Sequence, residues 1–136
     1  MNVILGNGAF MPEFAHETDA GADLRSPVDA VVPARGNAVI DTGVHVEIPE
    51  GYTIFLKSKS GLNVKHNLIG EGVVDSGFTG SIKVKLYNLG DQPYQIRKGD
   101  KIIQMVILPC VYCEFTGVEE FAETEREDGG FGSTGR

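Results

Sequence analysis

The sequence predicts an all-β, single-domain fold of the jelly-roll kind, with one short helix and a flexible C-terminal arm. Three observations carry this prediction. Short β-like runs follow one another between Gly and Pro, long helical periodicity is absent, and 136 residues suffice for one compact core with little left for a second. Many short strands in a chain of this size close into a sandwich or barrel, and a jelly roll suits their number.

In chain order, the β-like runs are Ala38 to Ile48, Tyr52 to Lys57, Ser81 to Asn88 and Lys101 to Phe115. Turn chemistry separates them at Pro49-Glu50-Gly51, Ser76-Gly77, Leu89-Gly90-Asp91 and Lys98-Gly99-Asp100, with 18 glycines available for positive φ. The run from Ser81 alternates, which places Ile82, Val84 and Leu86 on a buried face and Lys83 and Lys85 on the other. A short helix is expected after Ser60, with the serine capping Leu62 to Asn67. From Glu123 the chain turns charged and then glycine-rich, with Phe131 its apolar anchor. The division expected is a β core over 1–122 and an arm over 123–136, since such a tail cannot bury enough surface to fold alone.

A net charge of −7 opposes nucleic acid and anionic membranes, so neither is expected as a partner. No apolar run approaches the roughly 20 residues of a membrane helix. Met1 to Phe10 lacks the cationic and apolar regions of a signal peptide, and a cytoplasmic location is the expectation. Cys110 and Cys113 have the spacing of half a zinc site, but no second pair follows and the histidines lie far upstream. They read better as strand cysteines on opposite faces.

Five segments remain: DAGADLRS (19–26), KSKSGL (57–62), GVVDSGFTG (72–80), GDKIIQM (99–105) and REDGGFGSTG (126–135). Each alone is weak, but in this order and spacing they resemble the five motifs of the trimeric dUTPases, over most of the chain. The resemblance implies cleavage of dUTP to dUMP and pyrophosphate by Mg²⁺-assisted water attack on the α-phosphorus. It also implies a homotrimer whose sites are shared between subunits, and a metabolic role in limiting uracil in DNA and supplying dUMP for thymidylate synthesis.

Residue by residue, the resemblance makes Asp75 the catalytic base, although an Asp before Ser-Gly is ordinarily a turn former. Phe78 replaces the family's tyrosine as the ring beneath the deoxyribose, where a ring face offers nothing to a 2′-hydroxyl; from the residues alone it reads as core. Val73 and Val74 belong to the hairpin in which backbone groups read uracil. Lys83 matches a position near the base and reads equally well as a solvated strand lysine. Lys59, Ser60 and Gly61 are expected on the phosphates, with Lys59 replacing arginine and Ser58 replacing proline. Gln104 would donate to the α-phosphate, and Lys101, again replacing arginine, and Asp23 would support the site, Asp23 being equally well a turn-stabilising residue. In the arm, Arg126 would grip the γ-phosphate, Phe131 would stack on uracil, and Gly132, Ser133 and Thr134 would donate to phosphates. Glu127 stands where the family has glycine.

Mg²⁺ is expected to sit mainly on phosphate oxygens and waters, with no direct protein ligand. A dCTP deaminase shares this fold, but its glutamate three residues before an asparagine is Lys85 here, before Asn88. A regulator that keeps the fold and binds a partner protein has no support in the residues.

Overall fold

In the computed structural model, which describes residues 1–135, ten strands and one helix build the all-β, jelly-roll-like body. The strands are β1 (Asn2–Leu5), β2 (Gly21–Arg25), β3 (Ala30–Val32), β4 (Asn37–Asp41), β5 (Val44–Glu47), β6 (Tyr52–Lys57), β7 (Leu68–Val74), β8 (Lys83–Asn88), β9 (Tyr94–Ile96) and β10 (Lys101–Pro109), and α1 (Ser60–His66) joins β6 to β7. A six-stranded sheet runs in the order β2-β10-β6-β7-β8-β4, and β1-β5 and β3-β9 form two-stranded companions.

β8 follows the alternation read from its sequence: Val84 and Leu86 are buried, with Ile82 just before them, while Lys83, Lys85 and Tyr87 face out. Around them Leu24, Ile40, Ile54, Leu68, Ile96, Ile102 and Ile103 complete one core. Ile102 and Ile103 are both buried although adjacent, because a bulge between Lys101 and Ile103 breaks the pairing with β2.

Several expectations are corrected. The run Ala38 to Ile48 is two strands: Thr42-Gly43 turns the chain, so that β4 pairs with β8 and β5 with β1. Ser60 does not cap the helix; Lys59 stands at the N-cap with no side-chain bond, and Ser60 is already the first helical residue. The helix ends on Asn67 at φ 56°, a left-handed cap that asparagine tolerates. The last long run stops at Pro109, leaving Cys110 and Cys113 beyond the strand as free thiols. Asp23 lies on β2 and not in a turn.

Beyond β10 no helix or strand forms through residue 135, and Val111, Phe115, Val118 and Phe121 stand exposed along this stretch. Arg136, the last residue of the arm expected over 123–136, lies outside the described residues.

Candidate active site

β7 and β8 form a hairpin that is zipped at one end only. They pair from Leu68↔Asn88 to Gly70↔Leu86 and then part. Past that point β7 stays paired with β6 through Ile54↔Val74, and β8 stays paired with β4 through Asp41↔Lys83. The inner edges of both strands therefore face each other with unused backbone N–H and C=O groups. The groove between them has a volume of about 620 Å³ and is lined by residues that include Gly72, Val73, Val74, Asp75, Phe78 and Lys83. Val73 turns its side chain to solvent, whereas Val74 buries its own and lends the groove only backbone.

Asp75 follows β7 at the rim of this groove, exposed and in no ion pair among the described residues. The chain turns sharply after it: the Phe78 N–H donates to the Asp75 carbonyl at 3.2 Å, and Gly77 supplies φ +87°. Phe78 is half exposed, so it is no core residue. Its ring lies across Gly80, where an added Cβ would come within 2.6 Å of the ring's Cζ.

A second cluster forms where β2, β6 and β10 meet. Gln104 stands between Asp23 of β2 and Lys57 of β6 in the pairing. The buried Asp23 carboxylate accepts from Lys59 Nζ on one oxygen and from Lys101 Nζ, at 2.7 Å, on the other. Burial pushes the Asp23 carboxyl up, but the hydrogen bonds from Lys101 and Lys59, and the charges they carry, outweigh it and hold it below its ordinary value. Two ammonium groups against one carboxylate leave this trio one net positive charge. Gln104 Nε2 donates to the Ser58 carbonyl at 3.1 Å, and the Ser58 hydroxyl bridges the Gly70 N–H and C=O. Ser58 thus ties the loop before α1 to β7. Ser60 and Gly61 are exposed beside it at the helix start.

The two clusters are not neighbours within one chain. Asp75 lies just beyond the Ile54↔Val74 pair, next to Thr53, and Lys59 lies six residues further along the same strand direction, about 20 Å away at ~3.3 Å per residue. The arm is apart from both: its hydrogen bonds stay local, Arg126 Nε donating to the Gly129 carbonyl at 2.6 Å and Ser133 N–H to Gly130, while Phe131 is fully exposed. Gly132 and Thr134 share these turns. The structure thus brings together Val73, Val74, Asp75, Phe78 and Lys83 in one set, and Asp23, Lys59, Lys101 and Gln104 in another. Sequence reading gave no site role to Asp41, Ser58, Glu71 or Lys85, which line or brace these places; only long-range pairing reveals that placement.

Among the described residues, no three His, Cys, Asp or Glu converge on one point, and Asp23, the one buried carboxylate among them, is engaged by two lysines.

Compared with known proteins, residues 8–135 match the family model of the dUTPases. The chain belongs to the dUTPase family. Among its relatives, the deoxyuridine 5′-triphosphate nucleotidohydrolase of Clostridium tetani is 39% identical over 136 residues, covering 98% of this chain and 94% of that protein. The nucleotidohydrolase of Arabidopsis thaliana is 40% identical over 132 residues, covering 96% and 80%. The fold superposes on the dUTPase of Staphylococcus bacteriophage 80alpha solved with dUpNHpp, with TM-score 0.89, 36% identity and 99% and 98% of the two chains covered. A mutant dUTPase from phage phi11 of S. aureus, solved for its coordination of a structural Mg(II) ion, matches with TM-score 0.82 and 34% identity over 88% of this chain and 97% of that one. This dUTPase is accordingly a hydrolase, and the half-zipped hairpin with Asp75 at its rim is its candidate active site.

Proposed function

We propose that this dUTPase hydrolyses dUTP to dUMP and pyrophosphate, with Asp75 as the base that activates water. The observation that carries the reading is a free carboxylate at the rim of a groove with two unpaired backbone edges. Such edges offer donors and acceptors in a fixed line, so a uracil can be read much as a base partner reads it, while a cytosine would set its 4-amino group against the wrong partner. The Phe78 ring supports the sugar and offers no partner to a 2′-hydroxyl. Lys83 flanks the base.

The step itself is an in-line displacement. Water forms a bond to the α-phosphorus, its proton passes to the Asp75 carboxylate, and the bond from that phosphorus to the bridging oxygen breaks, its electron pair leaving with pyrophosphate. Mg²⁺, when bound with the substrate's phosphates, would supply charge neutralisation. Lys59, Ser60, Gly61 and Gln104 hold the phosphates, and Lys101 with Asp23 fixes the position of Lys59.

The separation of about 20 Å between Lys59 and Asp75 supports a site assembled from different copies of the chain, since groups that far apart cannot serve one phosphate. A homotrimer with shared sites meets this need. The arm then acts as a lid from 123–136, with Arg126 on the γ-phosphate, Phe131 on uracil, and Gly132, Ser133 and Thr134 on phosphate oxygens. The dUMP product feeds thymidylate synthesis, and removal of dUTP limits uracil in DNA; both fit a cytoplasmic enzyme.

Pyrophosphate release from dUTP, dTTP, dCTP and UTP with Mg²⁺, by the wild type and Asp75→Asn side by side, tests the chemistry. Release confined to dUTP and lost in the variant is expected; equal release by the variant would overturn Asp75 as base. Shared sites are tested by mixing Asp75→Asn with an arm-truncated chain, refolded together: regained activity is expected, and none would mean each chain is self-sufficient.

A further inference from the structure

The loop from Asp75 to Gly80 carries both the base and the sugar platform, yet its own backbone bonds are few. It is held from outside. At its start, the Ser76 hydroxyl lies 3.1 Å from the Tyr112 phenol. That phenol oxygen accepts from the Gly51 N–H at 3.2 Å, which leaves the phenol hydrogen free to donate to Ser76. Near the loop's end, His45 Nδ1 lies 2.8 Å from the Thr79 carbonyl. A carbonyl only accepts, so Nδ1 must carry the proton and donate. Neither Tyr112 nor His45 falls in any of the five motifs. Ser76 directly follows Asp75, and Thr79 directly follows Phe78.

We propose that Tyr112 and His45 are positioning residues that clamp this loop at its two ends, Tyr112 setting the aim of Asp75 and His45 the seat of the Phe78 ring. The inference rests on the roles given above to Asp75 and Phe78. It predicts a division of labour, because the two hydrogen bonds act next to different functional groups. Tyr112 lies in the stretch just after β10, so the same bond also ties that stretch to the loop that carries Asp75. His45 sits on β5 opposite Ile4, so a ring without a donor can replace it at little cost to packing.

The experiment compares steady-state kinetics on dUTP and UTP for Tyr112→Phe, Ser76→Ala, their double variant, His45→Phe and His45→Asn, with Asp75→Asn alongside and thermal midpoints for each. Loss of one hydrogen bond corresponds to about three- to tenfold in rate or selectivity. Tyr112→Phe should lower kcat on dUTP by about that factor with KM little changed, and the double variant should be no worse than the singles. His45→Phe should lower the preference for dUTP over UTP by about the same factor while kcat on dUTP holds, and His45→Asn, which keeps a donor near the Nδ1 position, should restore it. Wild-type kinetics in Tyr112→Phe and His45→Phe, or the same loss of both kcat and selectivity in each, would overturn the clamp. If Asp75→Asn stays active, the base assignment itself fails, and that outcome is distinct from a failed clamp.

Discussion

The two ends of β6 handle charge in opposite ways. Near Lys57 the carboxylate of Asp23 is buried and held by two lysines, so its charge is used up inside the fold. Near Ile54 the carboxylate of Asp75 stands in solvent with no ion pair among the described residues. The first arrangement ties together a junction of three strands, while the second leaves a carboxylate open to water at the groove rim, as the role proposed for Asp75 requires. The contrast teaches that a perturbed carboxylate need not be a reacting one: Asp23, held below its ordinary value, is spent on two lysines inside the fold.

The sharpest way to break the contrast is to remove each carboxylate in turn. Asp75→Asn should cost about a thousandfold in kcat while the unfolding free energy stays within about 0.5 kcal/mol, as expected for an exposed group. Asp23→Ala should cost about 3 kcal/mol in urea unfolding, because it strands two ammonium groups in a site built for a carboxylate. An Asp23→Ala chain as stable as the wild type would erase the distinction. Truncation after Glu123 should lower kcat/KM by about a hundredfold through loss of the phosphate donors proposed for the arm, with an unchanged unfolding midpoint in denaturant.

Acid sharpens the same contrast. The folded Asp23 carboxyl lies below its unfolded value of about 3.9, so its contribution to stability is present above that pH and is lost as pH falls through the folded value. Unfolding free energy should therefore fall below about pH 4 more steeply in the wild type than in Asp23→Asn. The smallest effect concerns the other end: Gly80→Ala would drive a methyl into the Phe78 ring, and since that ring is half exposed it should yield. The expected result is about a fivefold higher KM for dUTP at nearly wild-type stability, read from initial rates and a melting curve.

Legibility in the sequence followed the pattern of burial. β8 shows one face to water, so its alternation is plain in the residues and Ile82, Val84 and Leu86 could be placed in the core before any fold was known. β2 could not be found this way: Gly21, Ala22, Asp23 and Leu24 are all buried, the segment has no alternation, and Asp23 reads equally well as a turn-stabilising residue. Lys101 to Phe115 read as one strand because its apolar residues continue past Pro109, yet Val111 and Phe115 are exposed beyond the sheet.

By itself, then, the sequence determined the all-β class, the turns at Gly51, Gly77 and Gly99, and through its five motifs the family and the residues to watch. Those are local properties: alternation, turn chemistry and short ordered strings. Only the tertiary structure decided that Lys59 and Lys101 share Asp23, that the β7–β8 hairpin opens past Gly70, and that the lysine cluster lies far along β6 from Asp75. Strand pairing and register join residues distant in the chain, and no short window of sequence contains both partners.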